Sequence, residues 1–152
     1  MKNLIKNSFF ILLILLFVSC KNEKNSKDAQ EEIKTEQHHE NETSDLQLDG
    51  DQRWYVNEEM KPFVRSGEES VKKYLENNSK DYKNLAAQLK EKNNQLIKSC
   101  TMTGRSHDEL HNWLHPHLEL VAELAKTENP DQAEEIVHQI EQSYQTYHQY
   151  FQ

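Results

Sequence analysis

From residue 51 onward, apolar side chains recur three and four positions apart in four separate runs, the spacing of helices that each bury one face. The first run, 53–76, puts Val56, Met60, Phe63, Val64, Val71, Tyr74 and Leu75 on one side. Pro62 falls on the opposite side and predicts a kink. The second run starts near Ser79, a natural N-cap, and carries Tyr82, Leu85, Ala86, Leu89, Leu96 and Ile97. It stops before Gly104, which suits a left-handed C-cap. The third opens with a capping box, Ser106 with Glu109, and continues through Leu110, Leu114, Leu118, Val121 and Leu124, leaving Pro116 outside the stripe. The fourth takes Asn129 as cap, Pro130 as its first residue and Gln132 to close the box. Its stripe is Ala133, Ile136, Val137, Ile140, Tyr144, Tyr147 and Phe151. Runs of alternating β-branched residues are absent, so no sheet is expected. Short connections make successive helices antiparallel neighbours, and the prediction is an all-α domain over 51–152, an up-down-up-down four-helix bundle.

Upstream the pattern changes twice. Residues 9–18 are an unbroken apolar run, preceded by Lys2 and Lys6 and followed by Ser19 and Cys20. A basic head, a run of this length and a small residue before the cut predict a signal peptide over 1–19, too short to span a membrane. Phe17, Val18, Ser19 and Cys20 resemble the bacterial lipobox, although Phe17 stands where leucine is usual. That resemblance implies cleavage before Cys20 and acylation of its thiol, leaving Cys20 as a membrane anchor rather than half of a disulfide. Residues 21–50 hold four Lys and nine Asp or Glu, with Ile33, Leu46 and Leu48 the only sizeable apolar side chains. Such a stretch buries too little apolar surface to offset its chain entropy, so 20–50 reads as a lipid-anchored disordered acidic linker. Within it, His38 and His39 read as solvated. Lys21 gives no aspartate-type inner-membrane retention signal, which points to the outer membrane of a cell envelope.

The charge narrows the partners. The chain has 18 basic and 26 acidic residues, and loss of residues 1–19 removes two lysines, leaving a mature charge near −10. Nucleic-acid binding needs clustered Lys and Arg that release counterions, and adhesion to anionic lipid needs the same. Neither is expected.

Candidate chemistry concentrates in "SCTMTGRSHDELHNWLHPH", residues 99–117, with one cysteine, one methionine and four histidines. Cys100 continues the inner stripe of the second helix, and His107 lies three residues before Leu110, so the two should meet at one end of the bundle. Met102 lies in the turn between them, His111 follows His107 by one turn, and His148 at the edge of the fourth stripe is a possible fifth member. His117 also faces inward but lies ten residues along from His107, roughly 15 Å away, in another layer. His115 lies further round, toward solvent. Thiolate, thioether and imidazole together form a soft set suited to copper, above all Cu(I). Zinc would use the cysteine and histidines but not the methionine. Against this stands the plain reading that a lone buried cysteine is a small apolar filler and that such histidines only hydrogen-bond.

Two other functions compete with copper. Met60 and His148 would be axial ligands of a b-type haem carrier, while the absence of Cys-x-x-Cys-His excludes c-type attachment. A metal-free interaction module would present Trp54, Trp113 or the Tyr147, Tyr150 and Phe151 cluster to a protein partner in the envelope. An enzyme is not expected. No His-Glu-x-x-His sequence or phosphate-binding glycine loop occurs, and Cys100, His107 and Asp108 match a nucleophile arrangement only loosely.

The stretch C-T-M-x-G followed by H-D-x-L-H resembles a small group of bacterial lipoproteins, in Cys100, Met102, Gly104, His107, Asp108, Leu110 and His111. The likeness covers the last hundred residues and implies a helical extracytoplasmic module, without supplying an activity. Replacing Cys20 with alanine is expected to release the protein from membrane fractions and to change its processing. Membrane fractionation and processing like the parent's would contradict the lipobox reading.

Overall fold

The computed structural model describes residues 46–152. The expected signal peptide, Cys20 and linker residues 20–45 lie outside the described residues. The described chain folds as four helices: α1 (Lys61–Glu76), α2 (Tyr82–Ser99), α3 (Arg105–Lys126) and α4 (Pro130–Tyr150). Helix α1 packs on α2 and α4, and α3 packs on the same two from the opposite side. Helices α2 and α4 touch across the short diagonal, while α1 and α3 do not meet. This is the expected four-helix bundle. Among the described residues no helix is long and apolar enough to cross a membrane.

The core follows the stripes. Leu89, Leu96, Leu110, Leu124, Val137 and Ile140 are wholly buried between the helices. Burying an aliphatic side chain of this size is worth about 1.5–3 kcal/mol, and these residues set the axis of the bundle. All seven positions of the fourth stripe are buried as expected, six within α4 and Phe151 in the extended residue that follows it. Asn129 caps that helix, its Oδ1 accepting from the N–H groups of Asp131 at 2.9 Å and Gln132 at 3.4 Å. Gln132 does not close the box. The Asn129 N–H goes instead to the Thr127 hydroxyl, which donates in turn to Gln132 Oε1.

The largest departure from expectation is at the start of the domain. Residues 53–60 are not helical, and α1 begins at Lys61 with Pro62 in its first turn. Proline fits there because the first four N–H groups of a helix have no intrahelical partner, so Pro62 starts α1 rather than kinking it. Val56 and Met60 are fully buried, Val56 in an extended arm and Met60 in the turn that leads into α1. Their four-residue spacing imitated a helix that the backbone does not form. The arm pairs in parallel with the chain's last residues: Trp54 N–H donates to Tyr150 O at 2.8 Å, Gln152 N–H to Trp54 O at 2.9 Å, and Val56 N–H to Gln152 O at 3.0 Å. The arm also begins earlier than residue 51. Leu46 packs on the core, and Gln47 N–H donates to Glu109 Oε2 at 3.1 Å.

The other caps shift by a few residues. Asp81, not Ser79, caps α2 by accepting from Asn84 N–H. Ile97 is exposed, and Asn93 takes a buried place on that helix. Gly104 ends no helix; it starts α3 with φ 70° and ψ −158°, and its carbonyl accepts from His107 and Asp108. A positive φ with extended ψ is open to glycine and costly for any residue with a Cβ. Ser106 therefore sits inside the first turn, and no Ser106–Glu109 box forms. Leu118 is only partly buried, and Trp113 and His117 fill the inner face between Leu110 and Val121.

Gly67 on α1 is buried because the Tyr144 hydroxyl of α4 lies against it. A Cβ built there would overlap that hydroxyl and approach the ring within 3.1 Å. Gly67→Ala is therefore expected to destabilise the bundle by about 1–3 kcal/mol despite alanine's better helix propensity. Urea denaturation of the two proteins measures this. A variant as stable as the parent would contradict the close α1–α4 approach.

Candidate functional site

Helix α3 presents its histidines in two directions. His107, His111 and His115, four residues apart, share one edge of the helix. Their exposure rises along the row, His107 and His111 being half-buried and His115 exposed. The His107 and His111 ring centroids are 4.4 Å apart and those of His111 and His115 are 5.2 Å apart. His111 Nδ1 lies 3.2 Å from His115 Nε2, and the tautomers decide which nitrogen donates. Partial burial, followed by the charges His107 and His115 would carry, holds His111 below its usual pKa.

Cys100 and Met102 lie in the turn before α3, half-buried against the core, and the Cys100 thiol is free. The turn is anchored to the arm. Asn57 Nδ2 donates to Ser99 O at 3.2 Å, and Thr101 N–H donates to Asn57 Oδ1 at 3.4 Å. Of the five expected metal ligands, the structure brings His107 and His111 together and places Cys100 and Met102 on the adjoining turn. His148 is turned elsewhere: its Nε2 is 3.0 Å from Glu68 Oε2 on α1, the helix diagonally opposite α3. Among the described residues, no three His, Cys, Asp or Glu side chains are arranged to hold a metal ion.

His117 faces the interior. It is fully buried, stacked on Trp113 at 4.9 Å and edge-on to Tyr144 at 4.7 Å. Its Nδ1 is 3.0 Å from the Ser143 hydroxyl, and Nε2 has no partner among the described residues. Trp113 Nε1 donates to Ser143 O at 2.8 Å, so Ser143 ties both rings to α4. Tyr147 and Phe151 stack beside them.

This arrangement corrects the expected aromatic docking surface. Trp54, Trp113, Tyr147 and Phe151 are buried core, and only Tyr150 of the group is partly open. It also bears on the haem pair. Met60 is sealed in the core while His148 faces Glu68 at the surface, so axial ligation would require both side chains to leave these positions. The network of Gln47, Trp54, Arg105 and Glu109 was not foreseen. Trp54 Nε1 donates to Gln47 O at 2.6 Å, and Arg105 lies over the Trp54 ring. Gln47 lies in a stretch whose composition reads as linker, and only the adjacent Leu46 and Leu48 hinted at order.

Comparison with protein-family models, with curated proteins and with solved structures gave no match to this chain.

Burial pushes the His117 imidazole down to about 4, against ~6.5 for a solvated ring. Between those values the unfolded chain binds a proton that the folded chain refuses. The stability contribution is thus complete above pH 6.5 and declines as the pH falls toward 4, by about 3 kcal/mol in all. The parent should lose more stability between pH 7.5 and pH 4.5 than His117→Gln, as read from urea midpoints at each pH. Equal losses would contradict a ring kept neutral by burial.

Proposed function

We propose that this protein is a lipid-anchored helical bundle outside the cytoplasm that binds copper at the α2–α3 end, for sequestration, sensing or delivery. The observation that best supports this is the pairing of His107 and His111, 4.4 Å between ring centroids, beside the turn carrying Cys100 and Met102. Sulfur and imidazole ligands together favour Cu(I) over harder ions. The ligand set in this reading is Cys100, Met102, His107 and His111; His148 is left to Glu68. Since three such side chains are not already in place, binding draws the turn at residues 100–103 toward α3 rather than filling a finished pocket. The lipobox-like Cys20 supplies the membrane anchor, with the outer membrane of the envelope as its site. The resemblance to lipoproteins with C-T-M-x-G and H-D-x-L-H favours the same residues.

Titration of the reduced mature protein with Cu(I) against a competing chelator tests the reading. Cys100→Ser and His107→Ala should each weaken binding by about tenfold or more, ~1.4 kcal/mol, whereas His115→Ala should be nearly silent toward Cu(I). Unchanged affinity in the first two variants, or no competitive binding by the parent, would return these side chains to core packing.

A further inference from the structure

The His111–His115 pair is not explained by the Cu(I) reading, which leaves His115 idle. One turn of α3 holds His111 Nδ1 and His115 Nε2 3.2 Å apart. Imidazole nitrogens bind first-row divalent ions at about 2.0–2.1 Å, and two such nitrogens on one tetrahedral or octahedral ion stand roughly 2.9–3.4 Å from each other. The observed separation falls within that bite. The side chains are also accessible, His115 being exposed and His111 half-buried. His107, tilted against the His111 ring from the preceding turn of the same edge, limits the positions open to that ring.

We infer that His111 and His115 form a two-nitrogen clamp for a divalent ion of intermediate softness, with Cu2+ bound ahead of Ni2+ and Zn2+. The ion accepts one lone pair from His111 Nδ1 and one from His115 Nε2, and water fills its remaining positions. The ring that donates in the metal-free protein passes that proton to water and takes one up on its other nitrogen. Both neutral rings then carry their single proton on His111 Nε2 and His115 Nδ1, and the N···N hydrogen bond is exchanged for two metal bonds without net proton loss. The order of ions follows the general preference of nitrogen ligands among first-row metals. The clamp shares His111 with the Cu(I) set but needs neither Cys100 nor Met102, and it works in the oxidised state where Cu(I) is not supplied.

The test uses the mature chain with His38→Ala and His39→Ala, which removes the neighbouring histidine pair of the N-terminal segment. Cu2+, Ni2+ and Zn2+ are titrated calorimetrically into this parent and into versions also carrying His111→Ala, His115→Ala or Cys100→Ser. The expected result is a Cu2+ affinity lowered about tenfold or more by either histidine change and unaltered by Cys100→Ser, with Ni2+ and Zn2+ weaker than Cu2+. Electron spin resonance of the Cu2+-loaded parent should show coupling to imidazole nitrogens that diminishes in His115→Ala. Because His115 is exposed, its replacement should leave the thermal melt of the metal-free protein unchanged, which separates loss of a ligand from loss of fold. Equal Cu2+ binding by parent and His115→Ala overturns the clamp. Dependence on Cys100 without dependence on His115 overturns it too, while leaving the thiolate reading standing.

Discussion

The parallel pairing of the arm with the chain's last three residues is the constraint on which this end of the bundle depends. Three backbone hydrogen bonds join Trp54 and Val56 to Tyr150 and Gln152. They fix Trp54 where its indole bonds Gln47, and Gln47 in turn bonds Glu109 on α3. Asn57, a few residues along the same arm, holds the α2–α3 turn. One short extended segment thus connects α4, α3 and the turn that carries Cys100 and Met102. A pair of strands this short has little stability alone, and it survives because Trp54, Val56 and Phe151 are buried beneath it.

The helices were legible in the sequence because their evidence is periodic and redundant. Every stripe position from Ala133 to Tyr147 is buried in α4, and Asn129 caps it, because six apolar residues and a cap all point to one register. The arm was illegible for the opposite reason. Val56 and Met60 keep a helical spacing, and only the C-terminal residues, about a hundred positions away, show that the stretch around Val56 is packed in extended form. Caps were misplaced wherever two candidates stood within two residues of each other, as with Ser79 and Asp81 or Gly104 and Ser106. Local sequence does not rank such neighbours; the backbone path of the connecting turn does.

The histidines divide along the same line. Helical angle separated His117, buried beneath Trp113, from His115, exposed on the outer edge, and both are found there. Angle along one helix cannot say which residue of another helix a ring will meet. His148 therefore looked like a member of the cluster, yet it bonds Glu68 on α1. The pairing of His111 with His115 repeats the four-residue step of His107 and His111 and was available to inspection, but His115 was read only for its distance from the core. The result is a helix with one buried imidazole that serves packing and three outer imidazoles whose nitrogens remain within reach of solvent.

We propose a copper site at this end of the bundle, held by the arm. Metal analysis of the protein purified without chelators from its native envelope, joined to X-ray absorption at the copper edge under reducing conditions, tests it most directly. Copper is expected in stoichiometric amount, with both sulfur and nitrogen in its first coordination shell. Protein isolated free of copper, or copper surrounded by oxygen and nitrogen alone in the reduced state, would contradict it.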